Sequence, residues 1–212
     1  MPNLFQNPFF QAILLFLASS VTWYFLTDKN KTFKKKIFEL MSDGIYYFFL
    51  TALGLNVLFN FKEILSNPYR AILFSSMIAW LASILVISFL MIKKRQQIAT
   101  DQLFVSHLIN YFLILGLFNH LFYYYKYQNL FSVLFIVIYF VFYLLKNQLH
   151  IPWKNEILLA TLGILHGLLL FLSGNVILYY QIVYYPYQIT SLFLLISLLL
   201  FYFRSDGLSK RK

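Results

Sequence analysis

Cysteine is absent from the 212-residue chain, which excludes disulfides, thiol redox chemistry and thiolate metal sites. Charge is scarce: 11% of residues are charged, against roughly 25% in a typical soluble domain. No Gly-rich phosphate loop, no Gly-x-Ser-x-Gly elbow and no His-Glu-x-x-His pair occurs, so the usual marks of nucleotide, acyl-hydrolase and zinc-protease chemistry are missing. No Arg or Lys is expected deep inside an apolar block, where an enzyme acting on phospholipid needs a cation to hold phosphate. The first apolar block has neither a basic flank before it nor a small-residue cleavage site, so it is expected to stay in the mature chain rather than act as a signal peptide.

What is abundant is apolar and aromatic. Hydrophobic residues make up 61% of the chain, with 25 Phe and 17 Tyr, a composition suited to side chains that face lipid tails and headgroups. The apolar residues fall into seven blocks, at 8–26, 37–59, 71–92, 103–124, 130–145, 157–173 and 189–203. Each is close to the length of about 20 residues that a helix needs to cross a bilayer; the last three are shorter and need their Phe and Tyr flanks to complete a span. The expected architecture is all-α: one polytopic membrane domain of about seven transmembrane helices over 1–212.

The basic residues separate between the connections. Lys29, Lys31, Lys34, Lys35 and Lys36 follow the first block, Lys93, Lys94 and Arg95 the third, Lys146 and Lys154 the fifth, and Arg204, Lys210, Arg211 and Lys212 close the chain. Of the 17 basic residues, only Lys62, Arg70 and Lys126 fall in the alternate connections. Positive charge near span ends stays cytoplasmic, so the N-terminus is expected outside and the C-terminus in the cytoplasm, in a multi-pass cell-membrane protein. The net charge of +10 is then a topology signal with some attraction to anionic headgroups, not a nucleic-acid footprint. Membrane phospholipid and a membrane-protein partner are the expected contacts. Pro68 should end any helix entering the loop at 60–70. The Tyr-rich stretch 174–188 reads either as a re-entrant or amphipathic piece in the interface or as an extension of its neighbouring helices.

Polar residues at membrane depth are the candidate functional groups, because they turn toward the bundle interior or a wet cavity. His107 and Asn110 share one face of the fourth block, and Ile114 ends that polar stripe. Gly116, Asn119 and His120 form a second patch on roughly the opposite side. Asp43 and Asn56 lie in the second block, and His166 lies in the sixth between Gly163 and Gly167. Each has a plain structural reading beside a functional one: interhelical hydrogen bonds for His107 and Asn110, close helix packing for the two glycines, and neutralisation of Lys34–Lys36 for Asp43. A metal or bis-His haem site would need histidines to converge, yet His107 and His120 are about 20 Å apart along one helix. At most one of them can meet His166, so neither a metal nor a cofactor is expected.

Residues 39–97 carry a further pattern: Asp43 early in a span, Gly54–Phe59, Asn67-Pro68, Ile72-Leu73, then a span closing in Lys93, Lys94 and Arg95. Ala99-Thr-Asp-Gln-Leu103 then leads into a segment ending in Asn119-His120. This order resembles prolipoprotein diacylglyceryl transferase over residues 39–125. The resemblance implies seven spans, an outside N-terminus, and transfer of a diacylglyceryl group from phosphatidylglycerol to a lipoprotein cysteine. It departs at the chemistry. Trp80, Leu81 and Ala82 stand at the family's His-Gly-Gly motif, and Gly116 or Leu117 stands where its signature Arg falls. Ser75, Ser76, Ala82 and Ser83 replace the glycines that open space for lipid, and no outer loop is long enough for the family's head segment. The expectation is a scaffold that retains the architecture without the activity. Its lipid- or partner-binding candidates are His107, Asn110, Gly116, Trp80 and His166. The only catalytic candidates are His120, Asn119 and Arg70, with Lys126 as a second possible phosphate-holding cation.

Overall fold

The computed structural model describes residues 8–27, 31–72, 74–148, 153–173, 177–179 and 182–209. Of the residues singled out above, Lys29, Leu73 and Lys210–Lys212 lie outside the described residues. Among the described residues eight α-helices are formed: α1 Pro8–Leu26, α2 Lys31–Ser66, α3 Ser76–Lys93, α4 Arg95–Thr100, α5 Gln102–Tyr127, α6 Leu130–Gln148, α7 Lys154–Ser173 and α8 Pro186–Ser209. Five of them (α2, α3, α5, α7 and α8) are long and apolar enough to cross a membrane. α1 and α6 are apolar over the shorter stretches Phe10–Leu26 and Leu130–Lys146.

Local chemistry sets several helix ends. Asp101 caps α5 by accepting from the Phe104 N–H at 2.9 Å, and Ser75 caps α3 by accepting from the Ile78 N–H, each satisfying an otherwise orphaned donor. α5 stops where Gln128 turns left-handed at φ 52. In α1 the hydroxyls of Ser19 and Ser20 donate back to the carbonyls of Leu15 and Phe16 at 2.6 Å each, so neither carries an unpaired donor into the apolar region.

Two connections differ from the sequence expectation. α2 does not end near Phe59; it kinks at Asn60 (φ −122, ψ 27) and runs on to Ser66. The Asn60 amide donates to Asn56 Oδ1 at 2.7 Å, while Asn56 donates to the carbonyls of Arg70 and Ala71. This ladder ties the 3₁₀ turn Pro68–Ile72 against α2, so α3 starts at Ser76 rather than at 71. Between α7 and α8 the described residues are not a continuous extension of the two helices, although α8 itself starts inside the stretch 174–188 at Pro186. The chain makes an antiparallel pair, β1 Ile177–Tyr179 and β2 Ile182–Tyr184, in register Ile177↔Tyr184 and Leu178↔Val183. Residues 174–176, 180 and 181 of that stretch lie outside the described residues.

Cross-helix pairs fix the directions. Lys126 reaches Gln11 and Tyr111 reaches Ser20, so α5 is antiparallel to α1. α6 runs against α5, α7 against α6, and α8 against α7, as the pairs Asn110–Lys146, Tyr139–His166 and Glu156–Arg204 require. α3 lies antiparallel to α2 through Asp43–Lys93 and parallel to α8 through Trp80–Ser191. The consequence is that Lys31–Lys36, Lys93–Arg95, Lys146, Lys154 and Arg204 gather at one end of the bundle. Lipid tails are as apolar as leucine, so the stability of such a bundle comes from close packing and internal polar pairs rather than from burial of oil as such.

Candidate functional site

α5 is the most enclosed helix, and it meets its neighbours at two polar clusters. At mid-bundle, His120 and Asn119 are buried to 1% and 3% exposure, and His166 to 0%. His120 stacks on Phe135 at 4.7 Å between ring centroids and lies 5.3 Å from the His166 ring. Phe135 also packs on His166 at 4.3 Å. The Tyr139 hydroxyl is 3.2 Å from His166 Nδ1. Gly116 admits this arrangement: a Cβ there would lie 2.0 Å from Tyr139 Cε1. Gly163 and Gly167 act the same way across α7 and α8, where a Cβ would meet Phe193 Cβ at 2.4 Å and Thr190 Oγ1 at 1.8 Å. The small-residue spacing is thus a close-approach device on both α5 and α7.

The second cluster corrects the expectation that no cation enters the interior. Lys146, in the last turn of α6, is 1% exposed. Its ammonium donates to the Ser106 carbonyl and, at 2.6 Å, to Asn110 Oδ1. One helix pair further, Arg204 and Glu156 form an ion pair at 2.5 Å with side-chain exposures of 11% and 4%. Trp153 covers the guanidinium at 4.9 Å, and Ser197 donates to the Glu156 carbonyl. Neither cation adjoins His120: Asn110, which holds Lys146, is ten residues away on α5, about 15 Å by helical rise. A cavity beside the Lys146 stem is lined by Ile109, Leu113, Phe142, Leu158, Leu159 and Leu162, with free volume of about 10 Å³, roughly one water. It is too small for an acyl chain.

The remaining candidates lie apart from both clusters. His107 is half-buried, its ring 5.3 Å from Phe33 of α2, so it and Asn110 face different neighbours despite their spacing. Trp80 donates from Nε1 to Ser191 Oγ at 2.9 Å and packs edge-on against Tyr187, joining α3 to α8. Arg70 is exposed on the 3₁₀ turn and bonded to Glu63. Lys126 donates to Gln11 Oε1 at 3.0 Å. Asp43 pairs with Lys93 at 3.6 Å rather than with Lys34, which instead donates to the Tyr24 carbonyl. Among the described residues no three His, Asp or Glu side chains gather as a metal site. The 5.3 Å between the His120 and His166 rings, with Phe135 packed on both, leaves no room for a porphyrin between them.

These are the features of a helical membrane protein whose polar interior is divided into separate, enclosed groups. No protein-family model, no curated protein and no solved structure matches the chain.

Proposed function

We propose that this chain is a non-catalytic, seven-span integral protein of the cytoplasmic membrane, of diacylglyceryl-transferase-like architecture, which acts by holding phospholipid or a membrane-protein partner. Its N-terminus is outside and its basic end faces the cytoplasm, in line with the charge asymmetry between connections. The observation that carries the non-catalytic reading is the separation of acid–base groups from cations. His120 is sealed at 1% exposure among Phe135, Tyr139 and His166, whereas the Arg70 side chain is 53% exposed and paired with Glu63. A transferase has to bring a base and a phosphate-holding cation to one headgroup.

The test is an assay of diacylglyceryl transfer from phosphatidylglycerol to a lipobox peptide. No transfer above the protein-free background is expected. Turnover that disappears in His120→Ala would overturn the proposal and install the active transferase in its place. A transporter with His107, Asn110 and His166 along one polar path gains nothing from the geometry, because His107 packs on Phe33 of α2 while Asn110 and His166 meet α6 two turns apart, at Lys146 and at Tyr139.

A further inference from the structure

Building on the lipid-holding reading above, we infer that the basic end of α2 and the α3–α4 junction form a binding surface for the headgroups of anionic phospholipid. The first turns of α2 are aimed by their own packing. Phe33 lies against His107, Ile37 is fully buried, and Lys34 is tied to the Tyr24 carbonyl at 2.6 Å with its ammonium 4.1 Å from the Tyr24 ring. That leaves Lys31, Lys35 and Lys36 exposed on the opposite side. At the α3–α4 junction, burial of Met91 and Ile98 holds the turn in place, with Arg95 exposed and Lys94 half-exposed.

Among the described residues the charge at this surface is not balanced from within. Four salt bridges form among the described residues: Lys35–Glu39, Arg70–Glu63, Lys93–Asp43 and Arg204–Glu156. None includes Lys31, Lys36, Lys94 or Arg95. Asp101 is engaged in capping α5. The uncompensated cations therefore sit where α2 and α3 leave their apolar stretches, and clusters of this kind next to a span attract anionic lipid.

The same two helices select an amphiphile over a soluble acidic partner. Above the lysines, α2 exposes Tyr46, Phe49 and Leu50, and α3 exposes Leu85, Phe89 and Ile92. Lys36 lies seven residues, about 10 Å of helix, inward from the Asp43–Lys93 pair, which is a headgroup's distance below that apolar surface. A ligand meeting both parts has a phosphate at one end and acyl chains at the other.

Native mass spectrometry of the purified full chain, equilibrated with equal amounts of phosphatidylglycerol and phosphatidylcholine, tests the site. Wild type should retain mostly phosphatidylglycerol. The quadruple variant K31Q/K36Q/K94Q/R95Q should lose that preference by at least about tenfold, since each basic residue near an anionic surface contributes severalfold. Lys62→Gln, exposed at the other end of the bundle, should leave it unchanged. Equal retention of the two lipids by wild type, or a preference that survives in the quadruple variant, overturns the inference. If the variant does not fold, the wild type is titrated with salt, and a preference that persists at high salt is equally fatal. Displacement of phosphatidylglycerol by polyglutamate at equal charge would assign the surface to an acidic protein instead. Failure here with no transfer activity removes this site and leaves the non-catalytic reading intact; transfer activity with the lipid preference preserved does the reverse.

Discussion

The mid-bundle cluster and the basic-end cluster both lie largely out of solvent and are satisfied by different chemistry. His120 and His166, at 1% and 0% exposure, pack against the rings of Phe135 and Tyr139, and the Tyr139 hydroxyl lies 3.2 Å from His166 Nδ1. Lys146, also at 1%, is held by a backbone carbonyl and an amide oxygen, and Arg204 is held by a carboxylate. A neutral imidazole can be packed almost as an aromatic ring. A buried cation needs oxygen around it, because its desolvation costs several kcal/mol and only close acceptors offset that. The middle of the bundle is thus a packing problem solved with glycine and aromatics, and the basic end an electrostatic one solved with paired ions.

Removing half of an ion pair should separate the two regions most sharply. Glu156→Ala leaves Arg204 without its carboxylate at 11% exposure and is expected to cost about 3–5 kcal/mol, read as a loss of resistance to denaturing detergent. The double variant E156L/R204L removes both charges and should recover much of that loss. A double variant as unstable as the single one would show that Trp153 and Ser197, rather than the charges, hold α7 to α8.

The corresponding break at mid-bundle is steric. Gly116→Ala drives a Cβ to 2.0 Å from the Tyr139 ring, and overpacking of this kind costs about 1–3 kcal/mol. Pairing it with Tyr139→Leu should be less damaging than the sum of the two changes, since they share one contact. A thermal-denaturation cycle over the four proteins gives that coupling directly, and strict additivity would remove Gly116 from the account of the cluster.

The contrast also explains what the sequence disclosed and what it hid. Hydropathy located the apolar helices, five of them long enough to cross a membrane, because each has to be apolar over much of its length, whatever its neighbours are. The ends were harder: α2 passes its apolar limit to reach Ser66 through an Asn56–Asn60 bond that no periodicity signals. The Tyr-rich stretch before α8 was readable as strand chemistry, since all the residues of Ile177–Tyr179 and Ile182–Tyr184 but Leu178 are β-branched or aromatic, but its position between two apolar helices favoured other readings. Lys146 stayed hidden because a lysine at the edge of an apolar block ordinarily snorkels to water; only the carbonyl of Ser106 and the amide of Asn110, 36 residues away, turn it inward. The sequence allowed at most one of His107 and His120 to meet His166 without choosing between them, and it gave no sign of the Phe135 ring that seals the pair.

Lys146→Met tests the electrostatic half on a finer scale. Its stem shares a small apolar cavity with Phe142 and Leu158, so a methionine suits the apolar surroundings while Asn110 Oδ1 loses the ammonium donor and the Ser106 carbonyl keeps only its helical one. An unsatisfied buried acceptor costs about 1–3 kcal/mol, and the half-buried Asn110 places the loss at the lower end of that range. Adding Asn110→Leu should return part of that by removing one orphaned oxygen. If Lys146→Met is instead stabilising by itself, the ammonium is a net burden at this site, as replacement of buried ions by apolar side chains can show.

The smallest effect belongs to Tyr139→Phe, which deletes the hydroxyl 3.2 Å from His166 Nδ1 and leaves the ring against Gly116. Interhelical hydrogen bonds inside a bilayer average about 0.6 kcal/mol, so a melting shift near the limit of detection is expected while the imidazole resonances of His166 move clearly in a nitrogen-resolved NMR spectrum. A loss comparable to that of Gly116→Ala would mean that the hydroxyl, and not the fit of rings to glycine, organises the middle of the bundle, and the division between a packed centre and an ionic end would then no longer hold.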